Sequence, residues 1–370
     1  MSADFWNSTQ RTKWQLTRYS LFENRRKLLL LERKMIHNGI IKDAPGIVYD
    51  ANMRIYLHNL LVKLGRRLNI RQIALATAEV YLTRFLTKVS LKEINLYLLV
   101  TTCLYVACKI EECPQHIRVI TSEARNLWPE YIPQDITKVA EFEFYLIEEM
   151  DSYLVIHHPY KSLLQLRDFF TSVNPQYMGG GFLLTSEELQ NSWSIINDSY
   201  ITDAHLLFPP HVIAITAVYI TVVLNQQNKH GNDGVGVGST GGSNSAGSQQ
   251  TSISNEKADI QLDDLLSLTY SLPNENGDNG SNTGNNIGNN SNNGDRVPKS
   301  GEINSGANGA NGGMDHLVRI DQFREFLARS HINLDEVVEV LQDMVNLYAI
   351  WNRYNESQVK RALSFQLLNR

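Results

Sequence analysis

Residues 228 to 313 decide what kind of fold this chain can have. They hold 17 of its 23 glycines and one aromatic residue, Tyr270, in runs such as GNDGVGVGSTGG and NENGDNGSNTGNNIGNNSNNGD. Such a stretch cannot bury enough apolar surface to offset the entropy of ordering it, so the composition predicts a disordered low-complexity insert. Within it, Asp259 to Tyr270 (DIQLDDLLSLTY) could form at most a short acidic amphipathic turn. Gly236, Gly238 and Gly241 satisfy G-x-G-x-x-G in letters only. A pyrophosphate cradle needs a strand before the glycines and a helix after them, and neither is present. Gly179-Gly180-Gly181 reads as a turn. Folded structure must therefore be assembled from residues 1–227 and 314–370, enough for about two domains.

Both blocks read as helical. Met53, Leu57, Leu60, Leu61, Leu64 and Leu68 share one face at helical spacing, with Asp50 placed to cap the helix. Ile73 to Leu86 and Leu96 to Ile110 are apolar almost all round, as expected of helices enclosed by others. Pro133 is expected to open a helix carrying Ile136, Val139, Phe142, Leu146 and Met150. After His157-His158-Pro159, further helical patterns cover Tyr160–Phe170, Ser186–Ile201, Pro210–Gln226, Met314–Arg329 and Asn333–Tyr354. Alternating strand patterns are missing, so the fold class is all-α. A faint repeat aligns Val100–Lys109 (VTTCLYVACK) with Ala214–Val223 (AITAVYITVV), pairing Thr102 with Thr216 and Tyr105 with Tyr219. It implies two bundles in tandem, each built round one buried helix.

The chemistry is sparse. A formal charge of −5 is not that of a nucleic-acid-coating surface. The longest apolar run, Val212 to Leu224, is shorter than the ~18 residues of a membrane span. Together with an N-terminus that lacks a signal-peptide pattern, this predicts a soluble intracellular protein. Cys103, Cys108 and Cys113 make neither a disulfide framework nor a zinc motif, and read as structural cysteines. His157 and His158 read as a domain-boundary loop. No nucleophile or paired-carboxylate signature emerges, so no catalytic, cofactor or metal site is expected. Two charges stand out. Lys109 closes an otherwise apolar helix, and Glu141 sits among Val139, Ala140, Phe142 and Phe144. Both fit ordinary solvated helix charges, with the Lys109 stem snorkelling.

Certain strings resemble the cyclins, and most closely the C type that partners the Mediator-associated kinase. They are FWNSTQRTKW from Phe5, ATAEVYLTRFL from Ala76, Lys109-Ile110-Glu111-Glu112, and EFEFYLIEEMD from Glu141. His158-Pro159-Tyr160 with Leu163-Leu164-Gln165, INDSYITD from Ile196 and LFPP from Leu207 complete the set. The resemblance implies tandem cyclin boxes, two five-helix bundles, with an N-terminal helix and the Asn/Gly-rich insert. The implied organisation is 1–48 N-terminal helical segment, 49–156 first box, 157–227 with 314–354 second box, 228–313 insert, and 355–370 tail. Its implied partners are the cyclin-dependent kinase of the Mediator kinase module and that module's other subunits, in the nucleus, without cofactor, direct nucleic-acid contact or membrane. The implied role is non-catalytic: activating a kinase that phosphorylates the RNA polymerase II C-terminal repeat and transcription factors, with repression included. Lys109 and Glu141 become a kinase-facing pair, flanked by Glu111 and Glu112. Met53-Arg54 resembles the start of the patch with which other cyclins dock substrates, though Leu60 stands where that patch has tryptophan. Phe5, Trp6 and Trp14 are candidate partner contacts; an aromatic lid on the protein's own core is the alternative. A transcription factor IIB-like core would instead require a basic surface and a zinc ribbon.

Overall fold

The computed structural model describes residues 4–44, 46–172, 182–224 and 311–368. Among these, every regular element is helical. The insert with its Asp259–Tyr270 segment and its glycine motif lies almost wholly outside the described residues, as does Gly179–Gly181. Two compact units are present: Met1–Gly234 with Arg324–Arg370, and Val235–Phe323. Of the second unit, only the start of one helix falls among the described residues; both helical bundles belong to the first.

A short wide turn, Gln10–Trp14, leads into α1 (Arg18–His37). The first bundle comprises α2 (Ala51–Arg67), α3 (Gln72–Phe85), α4 (Leu96–Ile110), α5 (Ile117–Leu127) and α6 (Thr137–Glu149). Asp50 caps α2 by accepting the Met53 N–H at 2.9 Å, as its side chain suits it to do. α4 buries every residue from Leu96 to Leu104 and again from Val106 to Cys108, and α2, α3, α5 and α6 all pack against it. Its all-round apolar surface leaves it no other stable place.

The second bundle contains α7 (Pro159–Ser172), α8 (Ser186–Ser199), the single turn α9 (Ala204–Leu207) and α10 (Pro210–Tyr219). It is completed by the end of α11 (Asn311–Arg329) and by α12 (Leu334–Trp351). α10 is the counterpart of α4: Pro210 and all residues from Val212 to Val218 are buried, against α7, α8 and α12. The repeat is visible in hydrogen bonds. Thr102 and Thr216 each return their hydroxyl to the carbonyl four residues back, Leu98 and Val212, at 2.9 Å in both cases.

Three expectations are corrected. Pro133 does not open α6. The helix starts at Thr137, whose N–H and hydroxyl are held by Asp135 at 2.9 and 2.6 Å, so a turn closed by the Asp135 side chain, not the proline, leads into it. α5 is a full helix over residues assigned no element, burying Ile120, Thr121 and Ala124 against the core. The expected tail, 355–370, is a helix over most of its length: α13 (Glu356–Leu368) packs on α2 and buries Val359 and Leu363 in the first bundle's core.

Candidate functional site

The candidate site is the surface where α4 ends against α6. α4 closes in a Schellman-type turn. Glu112 takes the left-handed conformation at φ 52°, and the Cys113 N–H reaches the Cys108 carbonyl at 3.0 Å. The turn presents Lys109 outward, its ammonium 4.9 Å from the Tyr105 ring centroid and 2.5 Å from Glu143 Oε1. Partial burial works against the Lys109 charge, but the hydrogen bond and charge of Glu143, with Tyr105, hold its pKa above the ordinary lysine value.

The expected Lys109–Glu141 pair is absent. Glu141 points to solvent and pairs with Lys138 at 2.7 Å within α6. Glu141 and Glu143 are two residues apart, about 200° around a helix, so only one can face α4. The local charges therefore leave Glu141 on an open stripe beside Phe144, which is 74% exposed. Sequence position singled out Glu141; the carboxylate that reaches Lys109 is Glu143. Only its helical phase relative to Phe142 and Leu146, which face inward, marked it out.

The neighbours Glu111 and Glu112 separate in the same way. Glu112 is exposed, whereas Glu111 turns inward and accepts the Thr77 hydroxyl at 2.6 Å. Burial raises the Glu111 pKa, and the Thr77 hydrogen bond only partly offsets that. Thr77 also meets His158 Nε2 at 2.7 Å, and His158 Nδ1 meets the Tyr200 hydroxyl at 2.6 Å. These contacts assign the protons. Thr77 donates to Glu111, so it accepts from His158 Nε2–H, and His158 Nδ1 accepts from Tyr200. Every member of the chain is satisfied with His158 neutral. Burial, reinforced by His157 and Arg84, pushes its pKa down to about 3. His158 is thus more than a boundary loop: it is the polar rivet joining the first bundle to the second, a buried network worth keeping only because it is complete.

The N-terminal segment is fastened to the same junction. Gln10 accepts the His157 N–H at 2.6 Å, and the Leu16 N–H bonds the Leu206 carbonyl at 2.7 Å. The three aromatic candidates divide. Trp14 is 5% exposed and lies under the Arg84 guanidinium, 4.7 Å from its ring centroid, and so serves as the lid. Trp6 remains 58% exposed, with its ring 5.7 Å from His211, while Phe5 is half-buried against His157 at 6.0 Å. Met53-Arg54 is not an open docking patch. Met53 is buried, and Arg54 joins Arg25 on Asp203, at 3.0 and 2.7 Å. Both arginines outbalance the burial of Asp203 and keep its carboxyl below the usual range. This ion cluster is a second bridge between the bundles. Among the described residues no group of His, Cys, Asp and Glu side chains is arranged to hold a metal.

The family model for the cyclin N-terminal domain matches residues 22–155, spanning most of α1 and the first bundle. An RNA polymerase II holoenzyme cyclin-like subunit of Debaryomyces hansenii is 59% identical over all of this chain and 99% of its own length. The protein so named in Saccharomyces cerevisiae is 40% identical, covering 97% of this chain and 96% of its own. Among solved structures, the CAK complex of Chaetomium thermophilum contains a chain with TM-score 0.48 and 19% identity, matching 62% of this chain and 72% of that one.

Proposed function

The chain belongs to the cyclin family, and on that ground we propose that it is the regulatory, non-catalytic cyclin subunit of a nuclear cyclin-dependent kinase acting in RNA polymerase II transcription. The observation that carries this reading is the end-to-end 59% identity with a holoenzyme cyclin-like subunit. The kinase would be that of the Mediator kinase module. Its targets would be the polymerase C-terminal repeat and transcription factors, with repression among the outcomes. Residues 49–156 would form the first cyclin box, and residues 157–227 with 314–354 the second.

Mechanistically, a kinase of this type is inactive while its regulatory helix, carrying the glutamate that pairs the ATP-positioning lysine, is swung outward. A rigid surface that binds only the inward arrangement shifts that equilibrium without doing chemistry. The end of α4 supports such a role, because it is braced from within by Glu111 and enclosed by four helices. Lys109, Glu112, Glu141 and Phe144 offer charge and an exposed ring on its outer side, and Glu111 contributes by bracing rather than by contact. On docking, Glu141 would exchange Lys138 for a kinase group or for Lys109. Trp6 and Phe5, at the junction of the bundles, would contact a further subunit of the module.

Affinity purification of the tagged chain, with identification of the co-purifying kinase and its activity on a C-terminal-repeat peptide, tests the reading. Recovery of a cyclin-dependent kinase whose activity requires the chain is expected. Recovery of the chain without any kinase would overturn it.

A further inference from the structure

Cys108 and Cys113 are brought together by the turn that ends α4. In a Schellman motif the residue three from the helix end and the second residue beyond it lie side by side, usually in an apolar contact. Here those two places are Cys108 and Cys113, joined by the 3.0 Å backbone hydrogen bond that sets them at the two positions which adjoin across such a turn. They differ in environment. Cys108 is fully buried, whereas Cys113 is partly exposed beside Arg71. Cys103 is fully buried and outside this pair.

We propose that Cys108 and Cys113 are a redox-active dithiol, which a hydroperoxide converts into an intramolecular disulfide across the end of α4. Cys113 is the attacking group. Its hydrogen bond from Cys108 outweighs the cost of burial and, with Arg71, lowers its pKa to about 7, while the same contact and burial push Cys108 up. The Cys113 thiolate attacks a peroxide oxygen, so an S–O bond forms as the O–O bond breaks. The departing alkoxide or hydroxide takes a proton from water and leaves as an alcohol or as water. The resulting sulfenic acid is attacked by the Cys108 sulfur. An S–S bond forms, and the expelled hydroxide takes up the Cys108 proton as water. Two thiols lose two electrons and the peroxide gains them. Because Lys109 lies inside the closed loop, oxidation alters how it is presented, a consequence that rests on the function proposed above.

The test is to treat the reduced full-length chain with hydrogen peroxide, alkylate it and map disulfides by mass spectrometry without reduction. A Cys108–Cys113 linkage that a thiol reductant reverses is expected, with Cys103 still alkylated. Cys108→Ser should leave Cys113 as a sulfenic acid that a dimedone probe captures, and Cys113→Ser should leave Cys108 unoxidised. Oxidation of Cys103 as fast as Cys113, or oxidation of Cys108 in Cys113→Ser, would overturn the proposal. No kinase enters this readout, so its failure leaves the proposed function standing.

Discussion

α4 and α10 begin as near copies and end differently. Each is the enclosed helix of its bundle, each carries the same threonine back-bond, and each half-buries a tyrosine at the matching place, Tyr105 and Tyr219. Beyond the tyrosines they part. α4 stops in a left-handed turn with Lys109, Glu111 and Glu112, while α10 continues as a wide apolar turn, Ile220–Leu224. One architecture thus yields a charged exit in the first bundle and an apolar one in the second. Enclosure is a requirement of the fold and recurs; the manner of leaving the core is free to vary, and there the first bundle places the charges a partner could read.

Substitutions can probe both the likeness of the two helices and their difference. The largest effect belongs to what the helices share. Leu104→Ala and Ile215→Ala each empty a buried leucine or isoleucine site and should each cost ~2–5 kcal/mol of stability. Because both bundles lie in one compact unit, calorimetry should show one transition lowered in either variant. Two separable transitions would mean that the bundles fold independently.

The next effect is confined to the difference. Lys109→Ala should weaken kinase affinity by roughly 30-fold or more, as truncating one partner of a desolvated interfacial pair typically costs ~2–5 kcal/mol. Val223→Ala, its counterpart in the repeat, should leave affinity unchanged. Titration of the kinase with each variant, with melting curves as controls, decides between them. A double-mutant cycle should couple Lys109 to Glu143 in the free chain.

Spread over several pH units rather than seen at one pH is the response of the rivet between the bundles. The folded pKa of His158 is about 3, below its ordinary 6.5, so on acidification the unfolded chain takes up the proton first. Its contribution to stability is complete above about pH 6.5 and is lost as pH falls toward about 3, at up to ~1.4 kcal/mol per pH unit. His158→Gln should flatten the measured slope of stability against pH by about one proton in that window. Asp198, whose burial raises its pKa to about 6, pulls the slope the other way in both proteins and cancels from the difference. Smallest of all, Glu141→Ala should leave the melting temperature of the isolated chain unchanged, since its pairing with Lys138 is solvent-exposed.

Local features carried much of this structure in plain text. The limits of α4, the Asp50 cap and the two enclosed helices follow from apolar periodicity and capping chemistry, which act over a few residues. The cyclin resemblance was equally legible, from short strings in a fixed order. Less legible were α5, whose polar face masks a narrow buried stripe, and α13, whose burial depends on α2 some 290 residues earlier in the chain. The partner of Lys109 was misread for a similar reason: spacing locates a carboxylate along a helix but not the side from which another helix meets it.

By itself the sequence determined most of the helices, their two enclosed centres and the family resemblance, because apolar periodicity and capping act between neighbours a turn or two apart. Only the tertiary structure decided which charges are spent internally. Glu111 went to Thr77, Arg54 to Asp203 and Glu143 to Lys109, and His158 was held neutral, while Glu141 and Trp6 stayed exposed. Such pairings are settled by distance across the packed interface and by the cost of burying a charge or donor without a partner, and neither is written in the linear order of residues.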